Sequence, residues 1–429
     1  MGCNTVETYI PWNMHEPNKG EFHFEGILDV EKFVRTAQEL GLYVIIRPSP
    51  YICAEWEFGG LPAWLLKEDG MRLRAVYEPF LKHIREYYEV LMPKLIPLQI
   101  TQGGPVIMMQ VENEYGYYGD DTRYMEIMRD IMVEAGVEVP LISSDGPFDE
   151  SLSCGKVDGV QVMGNFGSRT KERFEVLSRY NDGGPLMCAE FWVGWFDHWG
   201  NGGHMKGNPD SPQDLDDMLD LGHVNIYMFE GGTNFGFMNG SNYYDQITPD
   251  VTSYDYDALL TEDGQITEKY RRYRDVIAKY REIPEVTFTT EIKRKAYGSL
   301  PLKEKVSLFS VLDDISAPVE SSFLQSMEKL GQNYGYILYH STLDTEEKLE
   351  KLRLWEANDR ANIFVDQKPV TTLYDLELLK EKELDVTFER GADFDILMEN
   401  MGRVNFGPRM EHQRKGIGQC VQVNGHMHN

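Results

Sequence analysis

From residue 6 to about residue 236, short runs of consecutive apolar residues alternate with segments whose apolar residues recur every three or four positions. The runs predict strands over Val6–Trp12, Tyr43–Pro48, Val106–Val111, Pro140–Ser144, Gly159–Met163, Leu186–Phe191 and Val224–Phe229. The periodic segments predict helices over Ile27–Leu40, Glu78–Leu91, Thr122–Ala135, Lys171–Arg179 and Pro212–Leu221, the last opened by Ser211 as N-cap. Tyr43–Pro48 and Val106–Val111 are apolar on consecutive positions, as expected of strands covered on both faces. Repeated strand–helix order at this length points to a parallel barrel or a doubly wound sheet.

Two features favour the barrel. No G-x-G-x-x-G fingerprint follows any strand. Polar and aromatic residues crowd the carboxy-terminal strand ends at Glu7-Thr-Tyr9, Cys53-Ala-Glu55, Glu112-Asn-Glu114, Glu190 and Tyr227, and a (β/α)8 barrel builds its site at that end. Only seven strands are predicted, so the first of eight is expected upstream of Met1. Pro284 marks a boundary after the helix ending near Tyr280. Beyond it come short alternating runs, Val306–Leu312, Tyr336–Tyr339, Arg353–Trp355, Ala361–Val365, Phe394–Met398 and Cys420–Val423, which predict a β-sandwich. The expected domains are therefore a barrel over 1–283 and a β-sandwich over 284–429, incomplete at its carboxy-terminal end.

Composition narrows the partners. A formal charge of −28 argues against nucleic acid and anionic lipid. No run of about eighteen apolar residues predicts a membrane span. Seven Trp and 24 Tyr would serve as sugar-stacking platforms, or equally as core. Five scattered cysteines without a C-x-x-C pair signal neither a zinc site nor a disulfide framework. With no signal peptide visible, a reducing, cytoplasmic location is expected. His15, Glu16, Asp197 and His198 match no standard ligand spacing, so neither metal nor other cofactor is expected.

The acids carry the chemistry. Cleaving a glycosidic bond needs two carboxyl groups flanking one carbon, one protonated and one ionised. The apolar strand running to Gln110-Val-Glu112-Asn-Glu114 ends in two acids around an amide, which period-2 alternation puts on one face if the strand continues through them. Spacing alone does not choose between Glu112 and Glu114, though Glu114 lies nearer the barrel mouth. The strand ending at Ala189-Glu190-Phe-Trp192 repeats the design. Single strand-end acids usually serve ion pairs, but two that are both flanked by aromatics point to a site.

Gly103-Gly-Pro-Val-Ile-Met-Met-Gln-Val-Glu-Asn-Glu-Tyr115 resembles the signature of the family 35 glycoside hydrolases, the β-galactosidases. The resemblance extends over Asn4–Pro17, Arg47–Trp56, Gly59–Leu66, Ala189–Gly200, Asn225–Phe229, Gly231–Phe235 and Thr252–Asp257. In the tail, Glu399–Asn405 and Lys415–Ile417 are similar to a galactose-binding-like β-domain. The resemblance implies a retaining exo-β-galactosidase, with Glu114 as acid/base, Glu190 as nucleophile and Asn113 on the sugar 2-hydroxyl. It places Tyr9, Ile52, Cys53, Ala54, Glu55 and Tyr256 around the ring hydroxyls, and Tyr227 on the nucleophile's carboxylate. Glu112 is expected to be structural, paired with Arg47 or another barrel-lining base. The implied partner is a β-galactoside, with a homo-oligomer possible. An inactive fragment that only binds galactosides, and a related exo-β-glucosaminidase, remain as alternatives.

Overall fold

The structure is a computed structural model, and it describes residues 1–48, 50–285, 292–344 and 348–428. Seven strands, β1 (Thr5–Tyr9), β2 (Tyr43–Arg47), β3 (Val106–Gln110), β4 (Leu141–Asp145), β5 (Gln161–Phe166), β6 (Met187–Trp192) and β7 (His223–Tyr227), form one sheet in sequence order. Every adjacent pair is parallel. The sheet curls until Asn225 of β7 donates a hydrogen bond to Glu7 of β1, so the barrel is nearly closed.

The consecutive apolar runs follow from cover on both faces. In β2, Val44 and Ile46 pack outward with the helices, while Ile45 points into an interior layer with Ile142, Met163, Met187 and Ala189. Helices lie between most of the strands, and side chains outside the periodic pattern set where they start. Asp29 accepts from the Lys32 N–H at the start of Val30–Glu39, and Asp121 from the Tyr124 N–H at the start of Thr122–Glu134.

Three local expectations are corrected. The first strand stops at Tyr9 rather than Trp12, because Pro11 cannot donate to a ladder and Trp12 opens the short helix Trp12–His15. Ser211 does not cap its helix. Its N–H already bonds the Asn208 carbonyl, so it is the first residue of Ser211–Leu221, and Asp210 holds the cap position. Val306–Leu312 is not a strand. Leu308–Val311 forms a 3-10 turn leading into the helix Leu312–Ile315, and Val306 and Leu308 are exposed with no sheet to fit against.

The chain divides into two compact units, Met1–Val286 with Gly402–His412, and Thr287–Met401 with Gln413–Asn429. The returning segment belongs to the barrel unit: Val404–Phe406 pairs in parallel with β8 (Ser241–Tyr243), which pairs with β9 (Ile247–Pro249). Its Arg403 forms an ion pair with Glu57 at 2.5 Å, with both side chains fully buried.

The second unit holds two four-stranded antiparallel sheets. One orders Tyr336–Leu343, Ala392–Glu399, Arg360–Val365 and Lys368–Tyr374; the other orders Lys382–Thr387, Lys348–Asn358, Gly416–Val423 and His426–His428. Leu352, Leu354, Ile363, Ile396, Met398 and Ile417 from both sheets share one core, which makes the unit a β-sandwich.

Candidate active site

Because the seven strands are parallel, their carboxy-terminal ends open on one side of the barrel, where polar residues converge. Arg47 closes β2 and is buried to 1% exposure. Its Nε donates to Glu7 at 2.9 Å, Nη1 to Asn113 Oδ1 at 2.8 Å and also to Glu190 Oε1, and Nη2 to the Ala189 carbonyl at 2.9 Å. One guanidinium thus ties β1, β3 and β6 together. Asn113 Oδ1 also accepts from Gln110 Nε2 at 3.0 Å, which leaves the Asn113 amide N–H groups for a ligand.

The two candidate acids differ in their surroundings. Glu190, at the end of β6, accepts from Arg47, from the Tyr9 hydroxyl at 3.2 Å and from Trp192 Nε1 at 3.1 Å. Glu114 accepts a single side-chain hydrogen bond, from Asn165 Nδ2 at 3.0 Å. Burial, reinforced by the Glu190 charge, pushes the Glu114 carboxyl up to about 8. Glu55 is also pushed up to about 8, by burial and by Glu190 and Glu114, against a hydrogen bond from the Tyr254 hydroxyl.

The backbone is strained at these positions. Cys53, Ala54 and Glu55 have φ of 57°, 57° and 48°, and Glu112 and Glu114 have 57° and 48°. Each such residue costs on the order of 1–3 kcal/mol and persists only where its surroundings over-determine it. Here the Glu55 carbonyl accepts the Gly240 N–H at 2.8 Å, and the Glu114 N–H reaches the Ser144 carbonyl at 3.0 Å.

A cavity of about 210 Å³ gathers eight of the predicted residues: Cys53, Ala54, Glu55, Asn113, Glu114, Glu190, Tyr227 and Tyr256. Tyr9 and Ile52 are not in its lining; Tyr9 reaches the site through its bond to Glu190. Tyr227 was expected to hold the nucleophile's carboxylate. Its hydroxyl pairs instead with the Tyr254 hydroxyl at 2.9 Å, and the tyrosine that donates to the Glu190 carboxylate is Tyr9, on β1, the next strand round the barrel past β7.

Glu112 is structural in its contacts, but its partner is Arg74, not Arg47. Arg74 Nε and Nη2 meet its two oxygens at 2.8 and 2.7 Å, while Arg47 is taken up by Glu7 and Glu190.

Sequence reasoning missed Asn165, Tyr254, Asn405 and Phe406. Phe406 lines the cavity, and Asn405 Nδ2 reaches Cys53 Sγ at 3.6 Å, from residues no local pattern connects to the barrel. Arg47 was expected only as a barrel-lining base beside Glu112, not as the donor to Glu190. Among the described residues, no group of His, Cys, Asp and Glu is arranged to hold a metal ion, and no helix is long and apolar enough to cross a membrane.

A parallel barrel that sets two unlike carboxyls at one cavity on its carboxy-terminal strand ends has the construction of a glycoside hydrolase. The chain belongs to glycosyl hydrolases family 35, whose model matches residues 1–280. A second model, the first all-beta domain of beta-galactosidase, matches residues 325–429. The chain is 39% identical over 97% of its length to the human beta-galactosidase-1-like protein 2, covering 65% of that protein. It is 40% identical to a beta-galactosidase of Xanthomonas manihotis, over 97% of this chain and 70% of that one. It is also 40% identical to a beta-galactosidase of Macaca fascicularis, over 95% of this chain and 60% of that one. The chain therefore spans roughly two thirds of the length of the curated relatives it matches.

Proposed function

We propose that the protein removes terminal β-D-galactose from β-galactosides by a retaining double displacement, with Glu190 as nucleophile and Glu114 as acid/base. The contrast between the two carboxyls carries this reading. Glu190 is aimed by three donors, as an attacking carboxylate must be, whereas Glu114 is pushed up to about 8 and so holds a proton near neutrality. The names of the relatives, beta-galactosidases, supply the sugar. The cavity, at about 210 Å³, lies below the usual range of ligand pockets, about 300–1,000 Å³, which suits one terminal ring rather than a chain passing through.

In the first step a Glu190 oxygen attacks the anomeric carbon, the glycosidic C–O bond breaks, and Glu114 gives its proton to the departing oxygen. In the second, water attacks the same carbon, Glu114 takes a proton from it, and Glu190 leaves as carboxylate. Asn113 offers N–H donors to the sugar, an interaction that contributes to rate as far as it strengthens in the transition state. Glu55, Tyr227 and Tyr256 also line the cavity and offer oxygen partners to ring hydroxyls.

The test is proton NMR of a chromogenic β-galactoside digest, run beside the matching β-glucosaminide. β-Galactose as the first-formed sugar supports the reading. α-Galactose as the first product, a faster β-glucosaminide, or no turnover of either would reject it.

A further inference from the structure

A second hollow of about 420 Å³ adjoins the candidate galactosyl cavity and shares Tyr117, Trp192 and Trp195 with it. It opens beside the acid/base. Asn165 lines it and also donates to Glu114 Oε1 at 3.0 Å. The Asn165 side-chain oxygen, Oδ1, is buried and has no hydrogen-bond partner. Such an atom normally finds an acceptor role in the completed complex. Trp192 and Trp195 meet edge to face at 5.5 Å and give the hollow an aromatic wall.

Its charge sets this hollow apart. In a chain of 70 acidic against 42 basic residues, two cations line it and no acid does. Lys206 is engaged by Asp257 at 3.1 Å. Arg173 forms no ion pair among the described residues, and its guanidinium lies 4.4 Å from the Phe148 ring centre. Stacking on an aromatic face orients the guanidinium plane and leaves its N–H edge for an anion, which a fork of donors grips in two-pronged fashion.

We propose that this hollow is the leaving-group subsite, and that Arg173 makes it select leaving groups bearing a carboxylate or sulfate. The inference rests on the galactosidase reading above and adds the class of glycan on which the galactose sits: an acidic one.

The full chain is assayed with three disaccharides carrying the same β-galactosyl linkage, whose second sugar is neutral, a uronate or a sulfate ester. The wild type should favour at least one acidic disaccharide about five- to tenfold in kcat/KM, the range for a partly exposed charged hydrogen bond. The preference should shrink between 20 and 500 mM salt, approach unity in Arg173→Gln, and survive in part in Arg173→Lys. The acid giving the larger ratio identifies the anion.

A chromogenic β-galactoside assayed with the wild type separates the two claims. Turnover of that substrate with an acidic-to-neutral ratio at or below one, or a ratio untouched by Arg173→Gln, overturns the subsite and leaves the galactosidase reading standing. No turnover of the chromogenic substrate overturns the galactosidase reading and the subsite together.

Discussion

Replacing Glu112 by Gln separates the structural acid from the acid beside it. Glu112 and Arg74 are buried to 0% and 2% side-chain exposure, and Arg74 also donates to the Asn113 carbonyl at 2.8 Å. Glu112 further accepts from the Tyr124 hydroxyl at 3.0 Å and the Asn113 N–H at 2.7 Å. Removing one partner of a buried pair leaves the other charge uncompensated, which costs about 3–5 kcal/mol. Two features place this site at the lower end. Arg74 lies 3.6 Å from the Tyr51 ring centre and 4.3 Å from that of Tyr118, and these faces still attract the cation. Gln also keeps an acceptor for one of the lost bonds. A loss of about 3 kcal/mol is a large share of a typical stability of about 5–15 kcal/mol. It should lower the melting temperature by roughly 6 °C or more. Urea unfolding followed by circular dichroism measures it, together with kcat/KM on the folded fraction. A double replacement, Glu112→Leu with Arg74→Met, should recover part of the loss, since no charge is then left unpaired. Refutation would be a Glu112→Gln protein within about 0.5 kcal/mol of wild type that has lost its activity, because Glu112 would then belong to the chemistry.

Three further outcomes follow. Glu114 and Glu55 bind their protons more tightly in the folded chain, at about 8 against an ordinary 4.5, so folding stability falls as pH rises between those values. Glu114→Gln and Glu55→Gln should therefore melt progressively higher than wild type across that window, with no gain below it; a gain that shrinks with rising pH would reverse the sign. The Asn165 amide favours ionised Glu114, so Asn165→Ala should move the alkaline limb of the kcat/KM profile to higher pH, and a downward move would contradict the hydrogen-bond assignment. Arg403→Met should destabilise the barrel unit by about 3–5 kcal/mol in calorimetry by leaving Glu57 buried without its cation; an unchanged transition would mean the returning segment contributes little to that unit.

Much of the barrel was legible because its strands are buried on two faces. Val106–Gln110 reads as a strand from composition alone, and its abrupt end in two acids marks the site. What was not legible depends on geometry across the barrel. Whether Tyr9 or Tyr227 reaches Glu190 is decided by strands 181 residues apart in sequence for the contact that forms. The choice between Arg47 and Arg74 as partner of Glu112 is likewise a matter of which side chain the left-handed turn at Glu112 turns toward. Phe406 and Asn405 join the site through a chain reversal that no periodicity signals. At Val306–Leu312, alternation without a partner strand carried no information about a sheet.

The central claim is that Glu190 becomes covalently attached to the sugar while Glu114 handles protons. It is tested most directly with a 2-deoxy-2-fluoro-β-galactoside carrying a good leaving group. The fluorine destabilises the positively charged transition state of both steps, and the leaving group restores only the first. Intact-mass and peptide-mass spectrometry should then find one fluorogalactosyl unit per chain, on Glu190, with release of one equivalent of leaving group. The label should be lost slowly in water. Attachment to Glu114 or to any other residue, or continued turnover of ordinary β-galactosides with no trapped ester and α-galactose as product, would contradict the account.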